Sequence, residues 1–115
     1  MVVDDNEDDR REIIRLLVSL GYGTIEFSDE GAIEYLKDNE ADLVILDLML
    51  EDTSGIDLCG KIREVKPGQK CIIVSGFLNS SDCRRAADMG ITRGIEKPLN
   101  REKLGSIVRA ELDRS

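Results

Sequence analysis

Histidine is absent from the 115 residues. That removes Ser-His-Asp triads, Cys-His pairs, imidazole acid–base chemistry and ordinary zinc sites together. Cysteine is scarce. Cys59, Cys71 and Cys83 are odd in number and lack CxxC spacing. They read as buried, small apolar thiols in a reducing compartment rather than as metal or redox centres. No apolar run approaches the ~20 residues of a membrane helix. The opening MVVDDNEDDR is acidic, unlike a signal or transit peptide. The expected location is therefore cytoplasmic, with no membrane contact. Linkers, low-complexity tracts and internal repeats are missing as well.

What remains is the composition of one globular domain, residues 1–115, with 41% hydrophobic and 35% charged side chains. The net charge of -8 argues against a nonspecific nucleic-acid binder. Its distribution is uneven: residues 1–60 carry a net -13 and residues 61–115 a net +5. The plain reading is solvated helix faces. The sharper reading is a carboxylate cluster for a cation in the first half and a face for an acidic partner in the second.

Apolar β-type runs recur along the chain, at Met1–Val3, Thr24–Phe27, Leu43–Leu46, Cys71–Val74 and, more weakly, Ile91–Ile95. Helical spacing fills the intervals. Ile13, Leu16, Leu17 and Leu20 follow i, i+3, i+4, i+7. Ala32 and Leu36 mark a second helix. Leu58, Ile62 and Val65 mark a third, ended by Pro67-Gly68. Cys83, Ala86 and Ala87 give a thin stripe behind a Ser80 or Ser81 cap. Leu104, Ile107, Val108 and Leu112 mark a fifth helix. Five βα units with short connections predict an α/β fold. The class is the doubly wound, flavodoxin-like (βα)5 parallel sheet, with the common strand order 2-1-3-4-5. The runs LVIL and CIIV lack polar alternation, as strands buried on both faces should.

Polar residues interrupt the apolar pattern at the strand exits. Asp4 and Asp5 follow strand 1, Asp47 ends LVIL, Ser75 ends IIV, and Lys97-Pro98 follows strand 5. In a parallel sheet these exits share one edge, and strands 1 and 3 flank the switch point where ligands of such sheets bind. Each residue has a plainer explanation. Asp5 or Asn6 could cap helix 1, with Glu7, Asp8 and Asp9 suiting its dipole. Asp47, Ser75-Gly76 and Lys97 could be turn or loop residues. Four exits carrying chemically matched groups together are harder to assign to turns.

Two carboxylates ~5 Å apart repel by about 3 kcal/mol at an effective dielectric of ~20. Three would destabilise the fold unless a proton or a hard cation offset them. Few protein ligands on an open edge suit Mg2+, which keeps waters and favours phosphate oxygens. Lys97 would add positive charge across the ~10 Å between strands 3 and 5.

With these pieces in place the chain resembles the receiver domain of two-component response regulators. The resemblance is carried by VVDDNE at 2–7, LVILDLML and SGID within 43–57, IIVSG at 72–76 and EKPL at 96–99. It implies that Asp47 is the phosphoacceptor, that Asp4, Asp5, Asp47 and the backbone carbonyl of Met49 hold Mg2+, and that Ser75, Gly76 and Lys97 bind the phosphoryl group. It also implies a cis bond before Pro98, which only X-Pro bonds adopt cheaply. The expected function is a phosphorelay module rather than a turnover enzyme. It takes a phosphoryl group from a partner's phosphohistidine, catalyses its own phosphorylation and dephosphorylation, and switches its contacts with a downstream effector protein or domain. The implied partner is a histidine kinase or histidine phosphotransfer protein. That would explain how a chain without histidine does this chemistry. Only three residues precede Asp4, and no output domain follows helix 5. The expectation is a stand-alone receiver or one excised from a longer protein, such as a hybrid histidine kinase.

Three positions depart from the family pattern. Glu51 stands where proline is usual, and with Asp52 it puts acids beside the acceptor. Gly94 stands where an aromatic residue is usual, which puts the common relay to helices 4 and 5 in doubt. Phe77 is the expected filler of the vacated space. The third is the short strand 1. The basic cluster Arg84, Arg85, Arg93, Arg101 and Lys103 leaves open an acidic partner or a homodimer, beside the plainer reading of solvated arginines. Two other functions compete with the receiver reading. One is a Mg2+-dependent phosphohydrolase with an aspartyl-phosphate intermediate, against which Met49 stands where such enzymes carry a second Asp. The other is a receiver-like binding module that has lost phosphorylation.

Overall fold

Apolar runs without alternation need cover on both faces, and the chain supplies it. The computed structural model describes residues 1–29, 31–50, 53–76, 79–91 and 93–114. In chain order the elements are β1 (Val2–Val3), α1 (Glu7–Ser19), β2 (Glu26–Phe27), α2 (Gly31–Asp38), β3 (Val44–Asp47), α3 (Gly55–Val65), β4 (Cys71–Ser75), α4 (Ser80–Asp88), β5 (Gly94–Glu96) and α5 (Arg101–Leu112). The five strands form one parallel sheet, as the βα alternation predicts, in the order β2-β1-β3-β4-β5 expected of the fold class. None of the described helices is long and apolar enough to cross a membrane.

The pleat divides each apolar run between two layers, because successive side chains point to opposite faces. Val3, Val44, Leu46, Cys71 and Ile73 pack with Leu36 of α2 and Ile56, Leu58 and Ile62 of α3. Val2, Ile45, Ile72 and Val74 pack with Ile13, Leu16 and Leu17 of α1 and Leu104 and Val108 of α5. Burying each such side chain stabilises the fold by about 1.5–3 kcal/mol relative to exposure.

Side-chain caps set where the helices begin. Asn6, Ser54, Asn79 and Asn100 accept hydrogen bonds from the third backbone N–H of α1, α3, α4 and α5, at 2.9, 3.1, 2.8 and 2.7 Å. Such a cap is worth ~1 kcal/mol. Gly21 and Gly90 follow the ends of α1 and α4 at φ +92° and +78°, a conformation that disfavours a side chain.

Four local expectations need correction. The cap of α4 is Asn79, not Ser80 or Ser81, since the asparagine amide oxygen reaches the Asp82 N–H first. Strand β5 is Gly94–Glu96, displaced from Ile91–Ile95; Ile91 is buried in the turn after α4, where its N–H donates to the Ala86 carbonyl at 2.8 Å. On α4 Ala86 is buried, whereas Cys83 and Ala87 are exposed. The cysteines therefore divide: Cys59 and Cys71 are buried and free, with sulfurs 3.0 Å apart, whereas Cys83 faces solvent.

Candidate functional site

The chain leaves β1 at Asp4, whose N–H donates to the Phe27 carbonyl at 3.1 Å. The turn into α1 is short, so Asp4 is drawn under it. Its Oδ1 accepts the Asn6 N–H at 2.9 Å, and Arg10 Nη1 donates to the Asp4 carbonyl at 2.8 Å. Asp4 is fully buried, and its second oxygen, Oδ2, has no hydrogen-bond partner among the described residues. Burial pushes its carboxyl above the usual range, only partly countered by the Asn6 N–H and by Lys97.

Asp47 is the last residue of β3 and is 7% exposed. Burial, and then the Asp4 charge, push its carboxyl up to about 6 against the opposing pull of Lys97 and the Met49 N–H. Strands β1 and β3 are direct neighbours with Val3 opposite Leu46, so the two acidic exits meet. One carboxylate oxygen from each of Asp4, Asp5 and Asp47 lies within 4.8 Å of the others. Asp5 is half-buried at the rim. The expected three-carboxylate cluster is therefore present.

The opposite wall comes from β4 and β5. Val74 pairs with Asp47, so Ser75 sits one residue further along the neighbouring strand, 2% exposed. Gly76 follows at the surface, where an added Cβ would meet nothing within 4 Å, so packing does not demand a glycine there. Ser75 pairs with Glu96 on β5, and the Lys97 N–H donates to the Ser75 carbonyl at 2.7 Å. The Lys97–Pro98 peptide is cis. From this anchor the Lys97 ammonium reaches Asp9 Oδ2 at 2.8 Å, Asp47 Oδ1 at 3.8 Å and Asp4 Oδ2 at 3.9 Å. Burial alone would lower Lys97. The hydrogen bond to Asp9 and the charges of Asp47 and Asp4 outweigh it, and the net shift is upward.

The loop after Asp47 folds back through a bridge between Met49 and Ser54. Met49 is 73% exposed, and its N–H lies against the Asp47 carboxylate. Gly55 is a residue whose role the sequence pattern did not expose. Its N–H donates to the Leu48 carbonyl at 2.8 Å, and an added Cβ would stand 2.2 Å from the carbonyl oxygen of Asp47. The SGID stretch needs its glycine because α3 starts against the Asp47 backbone. Asp9 is the second such residue: its first-turn position suited the helix dipole, and nothing local reveals a contact 88 residues away.

The remaining expectations divide. Beside Gly94, under α4, lies a cavity of about 250 Å³ lined by Leu48, Ile56, Ile73, Ala86 and Ile91. Phe77, Glu51 and Asp52 fall outside the described residues. Arg85 pairs with Asp57 at 3.1 Å, Arg101 donates to the Ser19 carbonyl and Lys103 to the Glu96 carbonyl. Arg84 is exposed, while Arg93 is half-buried with its Nε unpartnered among the described residues.

A doubly wound sheet with carboxylates, a serine and a lysine gathered at its strand ends defines a class of α/β domain that binds its ligand at the topological switch point. Within that class, the profile of the response regulator receiver domain matches residues 1–109, and the chain belongs to that family. It is 28% identical to the receiver domain of NtrX from Brucella abortus, covering 99% of this chain and 98% of that one with a TM-score of 0.91. A two-component response regulator from Clostridium difficile is 27% identical, covering 98% and 93% with a TM-score of 0.88. Among curated relatives, the transcriptional regulatory protein YvrH of Bacillus subtilis is 33% identical over 100% of this chain and 49% of its own length. The chain spans between 24% and 52% of the curated relatives it matches. Family membership sets the phosphohydrolase alternative aside. The chain is a receiver domain of the two-component response regulators, a family whose members bind Mg2+ at an acidic pocket and engage histidine kinases and effector domains.

Proposed function

We propose that residues 1–115 act as one receiver domain in which Asp47 accepts a phosphoryl group from the phosphohistidine of a histidine kinase or phosphotransfer protein. The observation that carries this reading is the meeting of the Asp4, Asp5 and Asp47 carboxylates within 4.8 Å, beside the Lys97 ammonium. An Asp47 carboxylate oxygen attacks phosphorus, the new O–P bond forms, and the donor's P–N bond breaks with its electron pair returning to the imidazole. Alignment and charge neutralisation make up most of the catalysis. The Lys97 ammonium stands 3.8 Å from Asp47 Oδ1 and would turn toward the incoming oxygens. The Ser75 hydroxyl and the backbone at Gly76 line the same wall and can donate to the others.

The chain's own residues fit a hard divalent cation. The donor set is all oxygen, and the fully buried Asp4 Oδ2, without a hydrogen-bond partner among the described residues, is the kind of atom that calls for one. Asp4, Asp5, Asp47 and the Met49 carbonyl would hold Mg2+. When bound, the ion neutralises the carboxylates and draws charge from the transferring oxygens. Hydrolysis of the resulting aspartyl phosphate by the same residues would reset the domain.

The added charge of roughly −1.5 to −2 would bias contacts with a downstream effector protein or domain. A hybrid histidine kinase or a transcriptional regulator would serve as the larger setting, and a homodimer as one mode of output. Cytoplasmic placement follows from phosphodonors that act there. The test is incubation with Mg2+ and acetyl phosphate. Label that depends on Mg2+ and is lost in Asp47→Asn supports the reading. Label that persists in Asp47→Asn, or none in the parent chain, contradicts it.

A further inference from the structure

We propose that Asp9 is a positioning residue that parks Lys97 away from the acceptor, so that the ammonium must leave Asp9 before it can meet a phosphoryl group on Asp47. The inference rests on the phosphoacceptor reading above and extends it to a residue outside the carboxylate cluster.

The geometry is specific. The Lys97 side chain donates a hydrogen bond to Asp9 at 2.8 Å, while Asp47 and Asp4 stand at 3.8 and 3.9 Å, beyond hydrogen-bond reach. Two buried carboxylates thus yield the lysine to one half-buried carboxylate. Asp9 can do this because it is held in place. The Asn6 N–H donates to Asp4 Oδ1 and the Asp9 N–H to Asn6 Oδ1, at 2.9 Å each. These two bonds tie the first turn of α1 to the floor of the pocket.

A cleft of about 420 Å³ opens on the same side, between α1 and the start of α5, lined by Asp9, Glu12, Ile13, Lys97, Pro98 and Leu99. It gives the lysine stem room away from Asp47. An acid serving only the helix dipole would need no such contact. Its neighbour Glu7 shows that ordinary role, paired with Arg11 four residues on.

The consequence is a threshold. In the resting domain Asp47 and Asp4 hold the lysine at ion-pair distance but do not draw its hydrogen bond from Asp9. The extra oxygens and charge of a phosphoryl group on Asp47 shift the balance. Asp9 therefore weakens the capture of phosphoryl-like ligands.

The test compares Asp9→Asn with Asp8→Asn, which removes the same charge from an exposed site in the same turn. With Mg2+ present, Asp9→Asn should raise beryllofluoride affinity and the rate of labelling by acetyl phosphate about threefold, the weight of a part-exposed ion pair. Asp8→Asn should change both less, and Asp9→Glu, which keeps the pair, should return toward the parent values. In metal-free protein the Lys97 side-chain NMR signals should move in Asp9→Asn and hold in Asp8→Asn. Equal effects of the two asparagine variants, or an unmoved Lys97 signal, would overturn the role of Asp9 while leaving the phosphoacceptor intact. A parent chain that neither labels nor binds beryllofluoride removes the phosphoacceptor reading and this inference with it.

Discussion

Replacing Asp47 with asparagine should stabilise the metal-free protein at neutral pH. The reason lies in the pocket. Burial and the Asp4 charge raise the Asp47 carboxyl from 3.8 to about 6, so the fold disfavours the charged form that prevails at pH 7. That rise corresponds to about 3 kcal/mol of disfavour for the charged form. The side chain is nearly buried, so solvent screening removes little of this. The sign follows from linkage: a carboxyl raised in the folded state contributes stability that is fully present below its unfolded value of 3.8. That contribution is lost as pH rises through about 6. The amide imitates the protonated acid at every pH. Asp47→Asn should therefore exceed the parent by about 2–3 kcal/mol near pH 7.5 and by little near pH 4. At roughly 4 °C per kcal/mol for a domain of this size, the melting temperature should differ by about 10 °C at the higher pH. Circular-dichroism melts in chelator at both pH values measure it. Equal stability near neutrality, or a gap that does not close on acidification, would refute the reasoning.

The same cluster makes stability depend on a divalent cation. Mg2+ at a hundredfold excess over its dissociation constant should stabilise the parent by about 2.7 kcal/mol, and Asp4→Asn and Asp47→Asn should blunt the response, read as melting temperature against Mg2+ concentration. Gly55→Ala should destabilise the fold by about 2–3 kcal/mol in urea titrations, because the new Cβ would collide with backbone rather than with a yielding side chain. Gly76→Ala, with open space around its Cβ, should leave stability within about 0.5 kcal/mol.

The five βα units and the placing of Asp4, Asp5, Asp47, Ser75 and Lys97 at strand exits were legible because apolar runs and strand-exit residues are local signals, while the strand order came from the commonest arrangement of the class. Topology then brings them together. The features that were not legible all depend on contacts between distant residues. Gly55 looks like any turn glycine until α3 is seen against the Asp47 carbonyl. Asp9 looks like a first-turn acid until β5 delivers Lys97 to it. Cys83 sits at core spacing on α4, yet that helix buries Ala86 and leaves the thiol facing solvent. Ile91 has strand character but fills the core before β5 begins, and the glycine at 94 starts the strand.

The most direct measurement is the location of the phosphoryl group. The chain would be incubated with acetyl phosphate in the presence and absence of Mg2+, reduced with borohydride and mapped by peptide mass spectrometry. The account predicts that Asp47 alone is converted to homoserine, and only with Mg2+. Conversion at another aspartate, or Mg2+-independent conversion at Asp47, would contradict it.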